Sequence, residues 1–160
     1  MTDFARLLRA LHAAGVRFIV VGGAAATAHG SARLTLDLDI VYDRSADNLD
    51  RLVSALGPLR PYLRGAPPGL PFSFDAETLR RGLNFTLVTD AGWIDLLGEI
   101  AGGGTWDQLA RHTTEMQLFG CPTLVLDLMQ LVHVKRAAGR PKDLEAIAEL
   151  EALADERDRA

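Results

Sequence analysis

Residues 35–43, TLDLDIVYD, alternate apolar and acidic side chains, which only a β-strand with two different faces can accommodate. Successive side chains of a strand point to opposite faces, so Asp37 and Asp39 share one face and the apolar residues share the other. Asp is disfavoured in strands. Two ionised carboxylates about 5 Å apart also repel by about 3 kcal/mol at an effective dielectric near 20. This strand therefore needs something to offset the charge on its acidic face.

Two interpretations of the acidic pair stay open at this point. A hard divalent cation such as Mg²⁺ takes carboxylate oxygens and is often completed by substrate phosphates, so paired aspartates on a rigid strand suit it. Alternatively, the strand lies at a sheet edge with its acidic face in water, where the repulsion falls to about 1 kcal/mol. The segment alone does not decide between them.

The segment before the acidic strand predicts a strand, a glycine turn and a short helix. RFIVV at 17–21 is an apolar, β-branched run that ends at Gly22 and Gly23, and the small residues AAATAH follow up to Gly30. Without a Cβ at these two glycines, a phosphate can approach the backbone at the helix start. The alternative is a plain tight turn with close helix packing.

Two other glycine motifs fit this segment poorly. A phosphate-binding loop requires Lys after its last glycine, but Ser31 follows Gly30. A dinucleotide-binding turn requires G-x-G-x-x-G, whereas the chain reads GGAAAT. Asp43 lies at a suitable distance for that fold, but the glycine pattern does not match.

Hydrophobic periodicity and turn residues divide the chain into short elements. Predicted helices cover residues 2–14, 45–56 with Ser45 as N-cap, 76–82, 126–138 and 141–155. Predicted strands cover residues 17–21, 36–43, 83–90 and 93–99, with a last one within EMQLFGCPTLVL. Residues 57–71 hold five of the seven prolines and are predicted as a loop. The charged tail ADERDRA is predicted to fray.

This order of elements predicts the fold class α/β (α+β), a small mixed β-sheet flanked by helices. We expect a single domain over residues 1–160. Its core would cover about residues 1–122, and a short C-terminal helical extension would cover about residues 123–155.

Composition excludes several classes of function. Of 160 residues, 48% are apolar and 24% charged, and no stretch approaches the roughly 18 uninterrupted apolar residues of a membrane span. The start, MTDFARLLRALHAAG, lacks a secretory pattern, so we expect a cytoplasmic protein without membrane association. The single cysteine, Cys121, excludes an internal disulfide. A net charge of −4 argues against a broad nucleic-acid-binding face.

Gly22-Gly23 followed on the next strand by Asp37-Leu38-Asp39-Ile40 resembles the signature of the nucleotidyltransferase superfamily typified by DNA polymerase beta. The approach SARLTLDLDI and the late segment LVHVKRAAGRPKDLEAIAEL, residues 131–150, look more narrowly like the small bacterial nucleotidyltransferase-like proteins. These include relatives of the nucleotidyltransferases of toxin–antitoxin systems. The resemblance covers most of the chain and implies a sheet of the nucleotidyltransferase type.

The resemblance also implies a third carboxylate on a later strand, which WIDLLGE supplies as Asp95, with Glu99 as the substitute. In that scheme Asp37, Asp39 and Asp95 are the catalytic and metal-binding residues. They would hold two Mg²⁺ ions, for which Mn²⁺ can substitute, and Asp95 could accept the proton of an acceptor hydroxyl.

For the nucleotide, the resemblance implies contacts to phosphate from two glycines, two loop residues and two lysines. They are Gly22, Gly23, Ser31, Arg33, Lys135 and Lys142. The alternatives are solvated surface positions for Ser31 and Arg33, and favourable helix-end charge for the lysines. The histidines at 29, 112 and 133 lack metal-ligand spacing and are expected to be surface or helix polar residues.

The function implied is transfer of NMP from an NTP, such as ATP, to a hydroxyl of an RNA, protein or small-molecule acceptor. A toxin or antitoxin partner protein is a further expectation of the resemblance. The alternative is a non-catalytic nucleotide-binding or antitoxin-like regulatory module that keeps the fold.

Overall fold

The computed structural model describes residues 1–159. Its strands are β1 Phe18–Val21, β2 Asp37–Tyr42, β3 Tyr62–Leu63, β4 Asn84–Thr89, β5 Gly92–Leu97, β6 Glu99–Ile100, β7 Gly104–Thr105, β8 Thr113–Leu118 and β9 Cys121–Leu126. Its α-helices are α1 Phe4–Ala13, α2 Gly22–Ala28, α3 Ala46–Leu56, α4 Ala76–Arg81, α5 Trp106–Leu109, α6 Leu128–Ala138 and α7 Pro141–Arg159.

Seven of the strands form one mixed sheet in the order β3-β4-β5-β2-β1-β9-β8. Strand β2 runs antiparallel to β1 and parallel to β5, and β1 runs parallel to β9. Within residues 1–159, the remaining strands, β6 and β7, pair only with each other. The predicted mixed sheet flanked by helices is confirmed, and β2 lies at its centre rather than at an edge.

One face of β2 belongs to the core. Leu38 and Ile40 are fully buried, and all of β1 and the apolar side of α1 at Leu7, Leu8 and Leu11 are buried with them. This burial fixes the register of β2, because a slip of one residue would turn the aspartates into the core. The acidic face is thereby set on the side where α6 and α7 close over the sheet.

Three segments differ from the sequence-based expectation. Within the predicted loop 57–71, Tyr62 and Leu63 form β3 at the sheet edge, where neighbouring prolines are tolerated. The segment predicted as one last strand forms the β8–β9 hairpin, turned by Phe119 and Gly120 at φ 52° and 80°. A two-residue turn with both φ values positive matches strand twist, but Phe-Gly lacks the usual Asn-Gly signal. The strand predicted over 93–99 ends at Leu97, Glu99 begins the separate strand β6, and β7 and α5 within residues 104–109 were not predicted.

Helix α7 continues as far as Arg159, so the fraying predicted for the charged tail is not found over residues 154–159, and Ala160 lies outside the described residues. Arg157 Nη2 lies 2.9 Å from His29 Nδ1 and donates to the His29 carbonyl at 3.2 Å. His29 Nε2 lies 2.7 Å from the Leu126 carbonyl, and the residue is only 6% exposed. His29 is therefore a buried link between α2, β9 and α7 rather than a surface residue. None of the helices in residues 1–159 combines the length and apolar character needed to cross a membrane.

The burial of His29 predicts a loss of stability at acid pH. Burial lowers the pKa of His29 in the folded protein, so the unfolded chain takes up the proton first. The stabilisation is full above the unfolded pKa, about 6.5, and is lost as the pH falls through the lower folded pKa. Urea unfolding at about pH 7.5 and about pH 5.5 measures the difference.

The substitution His29→Gln should reduce this drop in the unfolding midpoint, because Gln carries no ionisable ring. His12 is exposed on α1, so His12→Gln should keep the full wild-type drop. An equal drop in all three proteins would contradict the role given to His29.

Candidate active site

The parallel pairing of β2 with β5 brings the three predicted carboxylates together. Asp39 lies opposite Asp95, and Asp37 lies opposite Trp93. One carboxylate oxygen from each of Asp37, Asp39 and Asp95 lies within 4.8 Å of the others. We call these three residues the acidic triad. Oxygen ligands at this spacing can hold a hard divalent cation.

Glu99, the substitute candidate for the third carboxylate, begins β6 and is exposed. It pairs with Thr105 rather than with β2. Register therefore places Asp95, and not Glu99, beside Asp39. The sequence alone left both candidates open because it fixes neither the pairing partner nor the register of a strand.

Asp39 is the most constrained member of the triad. Its Oδ1 is buried and has no hydrogen-bond donor among the residues that the structure describes. Burial, followed by the charges of Asp37 and Asp95, raises the pKa of Asp39 to about 8. Burial also raises the pKa of Asp95. A carboxyl group in this state takes up either a proton or a cation.

Gly22 is required by the acidic triad itself. It begins α2 at φ 60°, and a Cβ at this position would overlap Asp39 Oδ2. At Gly23 a Cβ would lie 2.7 Å from Thr35 Oγ1, which donates to the Asp37 carbonyl. Both glycines therefore let α2 pack against the acidic strand, in addition to leaving backbone open to an anion.

All six predicted nucleotide-binding residues line one cavity of about 460 Å³, together with Asp37 and Asp39. Lys135 comes from α6 and the exposed Lys142 from α7, so the two C-terminal helices supply basic groups to this wall. Asp95, with 19% of its side chain exposed, is not among the lining residues.

A carboxylate of α7 occupies the predicted phosphate contacts at 31–33. Ser31 Oγ donates to Glu149 Oε1 at 2.5 Å, and the Ala32 amide donates to Glu149 Oε2 at 3.1 Å. Arg33 Nε lies 3.9 Å from Glu149, and its Nη2 lies 3.6 Å from Glu145. The hydrogen bonds from Ser31 and Ala32 lower the pKa of Glu149. Sequence reasoning missed this contact because Glu149 looks like any solvent-facing helix residue.

Asp143 is a buried acid at the start of α7, 1% exposed. It accepts from Arg140 Nε at 2.7 Å and lies 4.0 Å from Lys135 Nζ. The bond from Arg140 lowers the pKa of Asp143, so the residue stays ionised. The Arg140 amide also donates to it at 3.2 Å, which agrees with the expected preference of acids for the first turn of a helix.

Arg64 is a basic residue of the site that sequence reasoning missed. Its Nη2 donates to Asp95 Oδ1 at 2.8 Å, and its Nη1 lies 3.6 Å from Asp37 Oδ2. It follows β3 in the proline-rich segment, which the sequence predicts as a loop with no functional pattern. An isolated Arg in such a segment carries no signal that could have identified it.

Comparison with known proteins identifies the fold. No protein-family model matches the sequence, and no curated protein matches it either. A candidate nucleotidyltransferase from Thermotoga maritima shares 15% identity, covers 100% of this chain and 97% of its own, and superposes with a TM-score of 0.53. The antibiotic-resistance factor ANT(2″)-Ia, studied in solution, shares 16% identity over 97% of this chain and 91% of its own, with a TM-score of 0.53.

The same factor in complex with adenylyl-2″-tobramycin gives 15% identity over 96% of this chain and 94% of its own, with a TM-score of 0.52. These structural likenesses span the chain from end to end. The chain therefore has a nucleotidyltransferase fold.

The raised pKa of Asp39 predicts that this residue destabilises the metal-free protein at alkaline pH. The stabilisation from its protonated form is full below the unfolded pKa, near 4, and is lost as the pH rises through about 8. We expect Asp39→Asn to raise the free energy of unfolding by about 2 kcal/mol near pH 8.5 in EDTA, or roughly 4–8 °C in melting temperature.

The gain from Asp39→Asn should shrink near pH 5, where the wild-type carboxyl is protonated. Added Mn²⁺ should raise the melting temperature of the wild type and leave that of the variant unchanged. Thermal melts at both pH values measure these effects. Equal melting temperatures of the two proteins at both pH values would contradict the destabilising effect assigned to Asp39.

The packing of Gly22 against Asp39 predicts that Gly22→Ala destabilises the protein by about 2 kcal/mol or more. The positive φ alone costs roughly 1–2 kcal/mol, and the added methyl group must displace the Asp39 carboxylate. Gly57→Ala is the matched control, since its Cβ would meet nothing within 4 Å and its φ is −51°. Urea titration of both variants checks this, and equal stabilities would contradict it.

Proposed function

We propose that this protein is an Mg²⁺-dependent nucleotidyltransferase that moves NMP from an NTP to a hydroxyl group. The observation that carries the proposal is the register of β2 against β5, which sets Asp37, Asp39 and Asp95 together on one face. The nucleotidyltransferase fold over the whole chain supports the same chemistry.

The acidic triad fits a divalent metal ion. Its oxygens are the hard ligands that Mg²⁺ prefers and Mn²⁺ accepts. Asp39 Oδ1 finds no donor within residues 1–159, so a cation that binds it displaces no hydrogen bond. When bound by these residues, Mg²⁺ supplies charge neutralisation on the transferred phosphoryl group and lowers the pKa of the acceptor hydroxyl.

The cavity of about 460 Å³ is the proposed site of the nucleoside triphosphate. Gly22 and Gly23 leave the backbone of α2 accessible, so phosphate oxygens can approach without meeting a side chain. Lys135 and Lys142 supply positive charge to the same cavity, which orients the β and γ phosphates and stabilises the departing pyrophosphate. Positioning and electrostatics carry most of the catalysis in such transfers.

A second cavity, of about 320 Å³, is the proposed site of the acceptor. It shares Gly22, Asp39 and Lys135 with the nucleotide cavity, and Asn84 and Glu99 line its polar side. In-line displacement needs the attacking and leaving oxygens on opposite sides of the phosphorus. Two cavities that meet at Asp39 suit that requirement.

Asp95 is the proposed general base. Burial raises the pKa of its carboxyl group, which improves its ability to take the proton of the attacking hydroxyl. Arg64 opposes this effect, because a donated hydrogen bond stabilises the ionised form. Burial and the Arg64 guanidinium thus act in opposite directions on the pKa of this one carboxyl group.

The fold neighbours bear on the choice of substrates. The neighbour held in complex with adenylyl-2″-tobramycin supports an adenylyl donor and a small hydroxyl compound as one acceptor class for this chain. RNA and protein acceptors, and a toxin–antitoxin partner, stay predictions of the sequence resemblance.

One observation favours the alternative of a non-catalytic nucleotide-binding or antitoxin-like module. Glu149 holds Ser31, Ala32 and Arg33, so three groups suited to a phosphate already have an anionic partner. A protein that works by changing this contact could bind nucleotide as a signal and transfer nothing.

Transfer assays separate the two functions. We expect the wild type with Mg²⁺ to move label from one or more of α-labelled ATP, CTP, GTP and UTP to total RNA, cell protein or tobramycin. Asp37→Ala should lose about a hundredfold or more of the rate, because it removes a metal ligand. The exposed Asp50 of α3 provides the control, and Asp50→Ala should keep the wild-type rate.

Thermal melts with each NTP and Mg²⁺ complete the test. A melting temperature raised by NTP without any labelled product would favour the binding module over the enzyme. Neither transfer nor a shift with any NTP would contradict both functions.

A further inference from the structure

Arg64 places a positive charge directly on the acidic triad. Its Nη2 donates to Asp95 Oδ1 at 2.8 Å and to the Leu87 carbonyl at 2.9 Å, and its Nη1 lies 3.6 Å from Asp37 Oδ2. The guanidinium thus touches the triad on the side of Asp95, while Asp39 faces the nucleotide cavity. One side chain bridges two of the three carboxylates.

The position of this guanidinium is set by contacts outside the triad. Its Cζ lies 4.6 Å from the ring centroid of Trp93, over the ring face, where a cation is attracted. The Arg64 amide donates to the Thr86 carbonyl at 2.9 Å, which continues the β3–β4 pairing. Only 20% of the side chain is exposed. The ring, the Leu87 carbonyl and the backbone would hold it there even without the carboxylates.

The segment that carries Arg64 is also held in place by contacts of its own side chains. Tyr62 Oη donates to the Pro67 carbonyl at 2.5 Å and accepts from the Leu70 amide at 3.2 Å. The Tyr62 and Phe72 rings pack edge to face with centroids 6.2 Å apart. These contacts fold the proline-rich segment back on β3, so Arg64 is presented to the triad by an ordered element.

A cation bound to Asp95 Oδ1 would compete with Arg64 for the same oxygen. Two divalent ions among three carboxylates would also face the guanidinium as a third positive group at close range. In the site without nucleotide, one divalent ion together with Arg64 balances the three carboxylate charges to zero.

We propose that Arg64 serves as the fixed cation on the Asp95 side of the triad, so that the site holds one divalent ion, between Asp37 and Asp39, instead of two. The inference rests on the proposed function, because it assumes the metal-binding role of the triad. In this arrangement Arg64 positions Asp95 and supplies the charge for which a two-metal site uses its second ion.

Mn²⁺ binding followed by electron paramagnetic resonance tests the number of ions. The probes are Mn²⁺ alone and Mn²⁺ with adenosine 5′-(α,β-methylene)triphosphate, which cannot release pyrophosphate. We expect the wild type to bind one Mn²⁺ per chain and to show only the spectrum of an isolated ion. Arg64→Gln should bind two with the analogue and show the spin coupling of ions roughly 3.5–4 Å apart.

Arg60→Gln is the control, since Arg60 lies on the same segment, pairs with Asp90 and has 82% of its side chain exposed. It should bind one ion, as the wild type does. A coupled pair in the wild type would overturn the inference and leave the proposed function intact, whether or not any Arg64 variant folds. A single ion in folded Arg64→Gln would also overturn the inference. Absence of Mn²⁺ binding in the wild type would refute the proposed metal site itself.

Discussion

Mutual repulsion among Asp37, Asp39 and Asp95 is the constraint around which the site is built. The apolar face of β2 fixes the register, and the register forces the carboxylates together with no freedom to separate. Two neighbouring residues accommodate this charge. The Arg64 guanidinium lies against Asp95, and the absence of a side chain at Gly22 leaves room for the Asp39 carboxylate. The packing of the hydrophobic core thus holds together three carboxylates that would otherwise move apart.

Three arginines around the triad are paired with carboxylates of this chain. Arg33 faces Glu149, Arg140 faces Asp143, and Arg64 faces the triad. Arg33 and Arg140 line the cavity of about 460 Å³, so a phosphate that enters it meets two guanidinium groups that already have carboxylate partners. Binding is then an exchange of one anion for another, in which part of the desolvation of each guanidinium has already occurred during folding. Because Glu145 and Glu149 lie on α7, such an exchange at Arg33 also changes how that helix is held.

The sequence predicted those parts of the fold that depend on local patterns. The alternation around Asp37 and Asp39 identified their strand, and the periodic helices were found close to their observed bounds. Pairing partners depend on contacts that are distant along the chain, so the choice between Asp95 and Glu99 needed the structure. Arg64 and Glu149 were missed for the same reason, since neither stands in a pattern that reveals its partner. The burial of His29 was not predicted, because the charged composition of the tail gives no sign of the helix whose Arg157 contacts it.

The overlap between the missing Cβ of Gly22 and the Asp39 carboxylate ties together two positions that are distant in the chain. While the acid is kept, selection for folding alone is enough to keep the glycine. Once a descendant of this chain loses the acid, that selection is relaxed, and residue 22 is free to drift among small side chains that tolerate the local backbone. Covariation of the two positions would therefore distinguish lineages that still keep the acidic triad from those that have abandoned it.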